Sequence, residues 1–365
     1  MRVDEVCDPH SKTLCLDLEQ AIGVLAPLVS GDAAVKIFCN QEANMEVADR
    51  LRERFGLHDH LAGKVEHFRD KLAMKHIIQS AGLRAPVYAE LMPDVGAEAY
   101  ADLRQALRGK FIVKPRASVG SRGVYKIDKP ADFERFLSEA AGDDCEYEAE
   151  EFIDGDLYEF DLAIQNGEPI YSAVSRYSCP MADLQEGRTL GSIMVGRNEP
   201  LHARIVAFGL QCARALGADN GCFHMELFHS VADELVFLEV AARSPGLMTV
   251  PAYHSWEGVN LYDIELMIQS GQDASRLGQA AVSHQSRPAF FVVFPKVGGT
   301  IRELGKPELD CDIDMDWRVH VGQRVEATTT NIDFAGKAFV RADSEAEVRQ
   351  AFQHLVGEFI PVSYL

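Results

Sequence analysis

Two glutamates flank a short polar turn in a part of the chain where apolar and polar residues alternate. The flanking segments are FHMELF at 223–228 and LVFLEVA at 235–241. This alternation predicts two antiparallel β-strands, and a turn centred near residue 232 places Glu226 opposite Glu239. Directly opposed Cβ atoms lie about 4.5–5.5 Å apart, so the two carboxylates repel each other unless a cation compensates them. Mg²⁺ takes such oxygen ligands, and the hairpin therefore indicates either a magnesium site or a solvated acidic face.

The same register predicts how the rest of the hairpin packs. It pairs His224 with Ala241 and Phe228 with Phe237. One face of both strands then carries only apolar residues, which we expect to pack into the core: Phe223, Met225, Leu227, Val236, Leu238 and Val240.

Arg243 follows this hairpin by two residues and so projects from the same face as Ala241. A guanidinium there could stabilise negative charge on a substrate carboxylate or phosphate. It could equally pair with one of the two glutamates. The residues alone leave both interpretations open.

Lys114 ends an apolar run, FIVK at 111–114, and precedes a loop of small residues, ASVGSRG at 117–123. Glycines let backbone N–H groups approach a polyphosphate, and a lysine supplies a point charge. The alternative is an ordinary hairpin with a flexible tip. The loop lacks the GxxxxGK[ST] pattern and joins two predicted strands, which excludes a P-loop, and the absence of HRDxxxxN and DFG motifs excludes a protein kinase.

Histidines are interpreted as structural or surface residues because none has a paired ligand spacing. They include His58, His60, His224 and His320. His224 differs from the others because it shares the face of Glu226. No arrangement of Ser, His and Asp or of Cys and His predicts a nucleophile.

The elements that must position these residues follow from periodicity and from glycine or proline stops. Strands are predicted at 35–39, 111–115, 124–127, 150–153, 159–165, 222–228, 235–241, 290–294, 324–330 and 336–342. Helices are predicted at 46–55, 70–81, 131–140, 201–216 and 345–359. The segment 178–199 is rich in Gly, Ser and Arg without periodicity, so we predict a mobile loop that closes over the site together with residues 118–123.

Composition limits the possible partners and location. The 365 residues contain 36 Lys and Arg against 56 Asp and Glu, a net charge of −20, which disfavours binding to nucleic acid or an anionic membrane. No apolar run reaches the ~18 residues of a membrane helix. The eight cysteines are scattered without a CxxC pair, so we expect neither structural zinc nor disulfides, and a cytoplasmic location.

The order of these motifs resembles the ATP-grasp superfamily, and more narrowly its carboxylate–amine ligases of the L-amino-acid (dipeptide) ligase type. The matching segments are Asp70-Lys71, FIVKPRASVGSRGV, EEFIDG, FHMELF and FLEVAAR, and the resemblance extends over about residues 35–360. It implies an α+β ATP-grasp fold, in which two α+β lobes clamp ATP, preceded by a shortened Rossmann-like N-terminal α/β unit. The implied boundaries are 1–65 for that unit, 66–155 for the first lobe and 156–365 for the second lobe with its C-terminal part.

The resemblance also implies a role for particular residues. Lys71 and Lys114 would contact phosphates. The loop over the phosphates would contain Ser118, Gly120, Ser121 and Gly123; the strand linking the lobes, which recognises adenine, would contain Glu150, Glu151 and Ile153; and Glu159 would lie near the ribose. Glu226 and Glu239 would bind Mg²⁺, with Mn²⁺ as the alternative ion, while Arg243 and Lys114 would be catalytic.

Three departures from the family pattern stand out. Ala241 replaces the usual Asn of the ExNxR motif and cannot bind a metal. The segment 155–161 leaves the ribose-contacting acid ambiguous, and the N-terminal unit is short.

The function that the resemblance implies is ATP-dependent amide or peptide bond formation through an acyl phosphate, with release of ADP and phosphate. Its partners would be a small carboxylate and a small amine, amino acids or similar metabolites, with no nucleic acid or membrane, and a homodimer is common in such proteins. The alternatives are a non-catalytic ATP-binding remnant, or an ATP-grasp carboxylase or kinase.

Overall fold

The computed structural model describes residues 3–7, 14–31, 34–57, 61, 63–92, 94–142, 144–279 and 285–365. His58 and His60 lie outside these residues. Among the described residues, no helix combines the length and the apolar character that a membrane span requires.

Helices and strands alternate irregularly along the chain. The helices are α1 (Leu18–Val29), α2 (Met45–Phe55), α3 (Lys71–Ser80), α4 (Ala99–Ala106), α5 (Pro130–Ala140), α6 (Pro200–Leu216), α7 (Thr249–Glu257), α8 (Leu261–Gln269) and α9 (Glu345–Gly357). Short 3₁₀ helices occur at Glu42–Asn44, Val65–Phe68 and Met181–Glu186.

The strands are β1 (Glu5–Cys7), β2 (Leu14–Leu16), β3 (Tyr88–Leu91), β4 (Phe111–Pro115), β5 (Tyr125–Ile127), β6 (Tyr147–Glu151), β7 (Gly155–Gln165), β8 (Glu168–Tyr177), β9 (Leu190–Met194), β10 (Gly221–Ser230), β11 (Leu235–Ala241), β12 (Ala289–Phe294), β13 (Val297–Leu304), β14 (Asp312–Trp317), β15 (Arg324–Ala327), β16 (Gly336–Arg341) and β17 (Val362–Tyr364).

Two antiparallel sheets dominate the fold. The larger has eight strands in the order β11-β10-β7-β8-β9-β12-β16-β14, and the smaller has four in the order β3-β6-β4-β5. The strands β15-β13-β17 and β1-β2 form separate small sheets. The mixture of helices with antiparallel sheets confirms the predicted α+β class.

The main core lies between the eight-stranded sheet and the helices α3 and α6. Phe160 and Phe223 of the sheet are buried against Ile78 of α3 and Ile205 of α6. Helix α3 begins where the Asp70 side chain accepts hydrogen bonds from the N–H groups of the first turn, which fixes the position of the helix start. The predicted helices 46–55, 70–81, 131–140, 201–216 and 345–359 are confirmed to within a few residues.

The predicted strand at 35–39 is wrong, because residues 34–40 form no strand. Side chains, rather than a partner strand, form the hydrogen bonds to the backbone of this segment. Gln269 accepts a hydrogen bond from Cys39 N and donates one to Cys39 O, each at 2.9 Å, and Arg52 donates to Ile37 O at 2.7 Å. The described part of the N-terminal unit thus holds an antiparallel pair, β1-β2, and two helices, without a parallel strand.

The predicted mobile loop at 178–199 is also wrong. The segment forms the 3₁₀ helix Met181–Glu186 and then β9, whose five residues are all buried between β8 and β12. Strands that are covered on both faces lose the apolar–polar alternation by which the sequence would reveal them. Gly191 further hides the strand, because a Cβ there would meet Phe352 at 2.7 Å and Val292 at 2.9 Å.

The hairpin of β10 and β11 has the predicted register around its glutamates and a different one beyond them. Glu226 pairs with Glu239 and His224 with Ala241, as predicted. A β-bulge then makes Leu238 an extra residue, so that Leu227 pairs with Phe237. Phe237 therefore packs in the main core.

The bulge also moves Val236 and Leu238, two of the six residues that were expected to share one core-facing side of the hairpin. Val236 now pairs with Phe228 and packs beside it in a separate cluster. Leu238 lines a cavity instead. The expected pairing of Phe228 with Phe237 and the expected core position of Leu238 were wrong because one inserted residue reverses the faces of a strand. Val236 is buried as expected, but in a different hydrophobic cluster.

The variant Gly191→Ala should destabilise the protein by about 1–3 kcal/mol, because the added methyl group overpacks the contact of β9 with Phe352 and Val292. Urea unfolding at equilibrium measures the change. Gly23→Ala in α1 is the matched control, since a Cβ there meets nothing within 4 Å. An unchanged unfolding free energy for Gly191→Ala would mean that β9 is not packed as described.

Candidate functional site

A first cavity of about 180 Å³ lies between the four-stranded and the eight-stranded sheet. One end is apolar and the other is charged. The apolar end includes Ile112, Phe152, Ile153, Leu157, Phe228 and Leu238, and the charged end includes Lys71, Lys114, Lys126, Glu226 and Glu239. The cavity therefore suits a ligand that has one apolar part and one charged part.

Lys71 and Lys114 reach the charged end from different elements. Lys71, the first residue of α3, donates to Ser118 O at 3.0 Å and lies 3.5 Å from Glu239 Oε2. Lys114 of β4 lies 2.7 Å from Glu150 Oε1. Burial lowers the pKa of the Lys114 ammonium, but the carboxylates around it outweigh burial and raise the pKa. Lys114 is thus held as a cation.

A buried group of two lysines and two glutamates lies beneath the charged end. Besides Lys114 and Glu150 it contains Lys75, whose Nζ lies 2.5 Å from Glu148 Oε1 and 2.8 Å from Glu150 Oε2. Burial raises the pKa of Glu148, whereas Lys114 and Lys75 outweigh burial at Glu150 and lower its pKa. The group is electrically balanced, so it can fix Lys114 without leaving an unpaired buried charge.

Lys75 and Glu148 were missed by the sequence analysis. Lys75 follows Lys71 by four residues on one helix face, and Glu148 precedes Glu150 by two on one strand face. Those spacings were the signals by which both could have been found.

The three residues that were predicted to contact adenine differ in how they meet the apolar end. Ile153 lines the cavity directly. The Glu151 carboxylate is held by Arg84 at 2.9 Å and by Val87 N at 3.0 Å, and Glu150 belongs to the buried group below. Because both carboxylates are occupied, backbone groups and apolar side chains are what this end offers to a ligand.

The loop at 118–123 is folded over the charged end. Gly120 and Gly123 have φ of 70° and Ser121 has φ of 56°, so the loop uses left-handed backbone. Gln185 donates to Ser121 O at 2.8 Å, which ties the loop to the eight-stranded side. The buried hydroxyl of Ser118 has no hydrogen-bond partner among the described residues. A phosphate oxygen would satisfy it.

Glu226 and Glu239 face each other across β10 and β11 and line the charged end. Burial raises the pKa of Glu239, but Lys71, Lys114 and Lys75 outweigh it and lower the pKa to about 2. Its carboxylate is therefore ionised near neutral pH. Two carboxylates that line the same charged end are a donor set that fits Mg²⁺ or Mn²⁺.

Glu159 does not reach the first cavity. It lies fully buried next to Glu226 in the sheet and accepts hydrogen bonds from Ser192 and, at 3.3 Å, from Thr249. Burial and the nearby Asp161 raise its pKa to about 7. The residue predicted to contact a ribose thus lies beside Glu226 on the neighbouring strand, in the middle of β7.

His224 is part of a buried chain of polar contacts that leads to Glu226. Tyr253 donates to Asp161 at 2.6 Å, Asp161 pairs with His224 Nδ1 at 2.8 Å, and His224 Nε2 lies 3.7 Å from Glu226. Burial lowers the pKa of His224, but Asp161 and Glu226 raise it to about 10. The ring is therefore a cation that compensates the acidic row. His320, by contrast, is exposed, as expected.

Three buried residues of this region, Glu159, Asp161 and His224, offer ligand atoms within 4.8 Å of one another. Their atoms already pair with one another and with Ser192, Thr249 and Tyr253. The network is satisfied without a metal ion.

A second cavity of about 530 Å³ adjoins the first. The two share Lys71, Gly120, Ser121, Arg122, Met181, Glu226 and Glu239. Ala241 and Arg243 line the second cavity, and residues 40–43 of the N-terminal segment form one of its walls. The glutamate pair is thus positioned between two spaces that can each hold a ligand.

Arg243 does not pair with either glutamate of the hairpin. Its guanidinium lies 2.7 Å from Glu42, a residue 201 positions earlier in the chain. Burial lowers the pKa of Arg243, but Glu42 outweighs it and raises the pKa. No local sequence pattern could have identified this partner.

Comparison with known proteins agrees with the fold. A family model for the ATP-grasp domain matches residues 107–251. The L-arginine-specific L-amino acid ligase of Bacillus subtilis is 26% identical over 206 residues, or 54% of this chain and 48% of the relative. The match therefore spans about half the length of that curated relative.

Two solved structures show the same fold over nearly the whole chain. An L-amino acid ligase from Bacillus licheniformis has a TM-score of 0.71 at 18% identity and covers 96% of this chain and 85% of its own. The biotin carboxylase domain of the 2-oxoglutarate carboxylase from Hydrogenobacter thermophilus, solved with MgADP and bicarbonate, has a TM-score of 0.60 at 15% identity and covers 95% and 78%. The ATP-grasp fold and the resemblance to L-amino acid ligases are confirmed.

The variant Lys75→Met should lower the free energy of unfolding by about 3–5 kcal/mol, because it leaves two buried glutamates facing one lysine. Adding Glu148→Gln restores the balance of charge and should recover part of the loss. Chemical denaturation of the single and double variants measures both effects.

The control for this prediction is Lys64→Met, which removes a half-exposed pair with Asp219 and should cost about 0–1 kcal/mol. Equal losses for Lys64→Met and Lys75→Met, or a double variant less stable than Lys75→Met, would contradict the role given to the buried group.

Proposed function

We propose that this chain is an ATP-dependent carboxylate–amine ligase that forms an amide or peptide bond between amino acids or similar small molecules. The observation that carries the proposal is the meeting of the two cavities at Lys71, Glu226 and Glu239. A nucleotide in the first cavity would point its phosphates at a second ligand beside Arg243. The likeness to L-amino acid ligases supports the choice of an amino acid as that ligand.

In the proposed complex, the apolar end of the first cavity takes the adenine, and Lys71 and Lys114 contact the phosphates. The loop at 118–123 covers the phosphates with backbone N–H groups and the Ser118 hydroxyl. Glu226 and Glu239 hold Mg²⁺, which neutralises charge on the phosphate oxygens as it does in other phosphoryl transfers. The position of Glu159 removes it from this proposal as a ribose contact.

The proposed reaction has two steps. A carboxylate oxygen of the first substrate attacks the γ-phosphorus of ATP, giving ADP and an acyl phosphate. An amine then attacks the acyl carbon, the tetrahedral intermediate collapses and phosphate leaves. Arg243 and Lys114 stabilise the negative charge that develops on oxygen in these steps, and the folded loop excludes water.

The proposal also includes the classes of substrate that the family resemblance predicts. Its substrates are a small carboxylate and a small amine. The domain boundaries at 65 and 155, a homodimer and a cytoplasmic location stay predictions.

The nucleotide products test the proposal. Purified protein is incubated with Mg·ATP and the twenty amino acids, and ADP, AMP and phosphate are separated by chromatography. We expect ADP and phosphate to form only when amino acids are present, and single-omission mixtures then identify the substrates. Formation of AMP and pyrophosphate, turnover that depends on bicarbonate, or no amino-acid-dependent turnover would each contradict the proposal.

The variant Glu239→Gln should fold normally and lose about 10²–10³ of its turnover, because it removes one charged ligand from the phosphate end. Steady-state ADP release at saturating Mg²⁺ measures the loss. Glu234→Gln, in the turn of the same hairpin and outside both cavities, is the matched control and should retain wild-type turnover. Wild-type turnover in Glu239→Gln would remove the metal assignment.

A further inference from the structure

The guanidinium of Arg243 is held along one edge by a carboxylate from the N-terminal segment. Its Nε and Nη2 donate to Glu42 Oε2 at 3.2 and 2.7 Å, and its Nη1 donates to Ser244 O at 3.0 Å. A guanidinium has five N–H groups. Among the described residues, these contacts leave one N–H of Nη1 and one N–H of Nη2 without an acceptor.

We propose that Glu42 is the positioning residue of Arg243, fixing the plane of its guanidinium so that its two remaining N–H groups serve the substrate in the second cavity. The proposal rests on the ligase function proposed above, since it assigns Arg243 a substrate oxygen. Both residues line that cavity, so the pair lies at the place where the reaction is proposed to occur. Glu42 acts through Arg243 and needs no contact with the reacting atoms.

Arg69 explains how Glu42 can position Arg243 without cancelling its charge. Arg69 Nη1 donates to Glu42 Oε1 at 3.0 Å, while Glu42 Oε2 faces Arg243. One carboxylate is thus shared by two guanidiniums, which leaves the triad with a net charge of +1. A pair of Glu42 and Arg243 alone would be neutral and would stabilise an anion less.

Arg69 is itself fixed and buried, as this role requires. It is 4% exposed, and its Nη2 donates to Ala117 O at 2.6 Å, immediately before the phosphate loop. Burial raises the pKa of Glu42, but Arg243, Arg69 and Lys71 outweigh it and lower the pKa. Glu42 therefore remains a carboxylate between two cations.

Helix α8 holds the backbone on both sides of the pair. Gln269 is hydrogen-bonded to both Cys39 N and Cys39 O, three residues before Glu42. Glu265, one turn earlier, accepts a hydrogen bond from Ser244 N at 3.2 Å, next to Arg243. Because one helix fixes both segments, the distance between Glu42 and Arg243 is set by rigid structure rather than by a loose surface contact.

The test compares Glu42→Ala with Glu42→Gln. The alanine variant should lower kcat for amino-acid-dependent ADP release about 10–100-fold and leave KM for ATP within about 2-fold. The glutamine variant keeps one accepting oxygen for Arg243 but loses the acceptor of Arg69, so it should lose less kcat than the alanine variant. A purely structural role of Glu42 would not produce this split between kcat and KM, nor the rescue by glutamine.

Glu46→Ala is the matched control. Glu46 lies four residues after Glu42, is half-exposed and approaches Arg69 Nε only at 3.7 Å, so its loss should leave kcat unchanged. Wild-type kcat in Glu42→Ala overturns the proposal. So do equal losses in the alanine and glutamine variants, or a loss in Glu42→Ala that comes with weaker ATP binding.

A crystal structure of Glu42→Ala tests the inference independently of the substrates. The Arg243 guanidinium should leave its present plane, and an unchanged orientation overturns the proposal. If the wild-type protein shows no amino-acid-dependent turnover, the ligase function fails. The orientation of Arg243 in the crystal structure of Glu42→Ala then still decides whether Glu42 positions it.

Discussion

Repulsion between carboxylates is the constraint to which much of this structure responds. The pairing of β7, β10 and β11 brings Glu159, Glu226 and Glu239 into one row across the sheet. The compensating cations come from elsewhere. Lys71 approaches from α3 and Lys114 from the four-stranded sheet, and His224 lies in the next row of the eight-stranded sheet. The lysines and the glutamates meet between the two sheets. The first cavity lies at the same place.

Each of these cations is held in place by several further residues. Lys71 starts a helix whose first turn is capped by Asp70, and Lys114 rests on a balanced buried group that includes Lys75. Arg243 is held by Glu42 and the backbone around it. Each cation is thus oriented before a ligand arrives, which lowers the reorganisation that binding and reaction require.

Local patterns predicted much of this site. The register of Glu226 and Glu239 followed from alternation about a turn, and the helix at 70–81 from periodicity and the glycine stop that follows it. Burial on both faces hid β9, and an inserted residue at Leu238 reversed the faces beyond the glutamates. The pairing of Glu42 with Arg243 spans 201 residues, and only the folded chain reveals such a contact.

The bulge at Leu238 separates two parts of one hairpin that would otherwise share a single alternation. On one side of it, the pairing of Glu226 with Glu239 is set by the sheet; on the other, the pairing of Phe228 with Val236 is set by the turn at 230–234. A slip in pairing at the hairpin tip can be absorbed at the extra residue before it reaches the glutamates. During evolution, the length and sequence of this tip can therefore diverge while the two acidic positions are conserved.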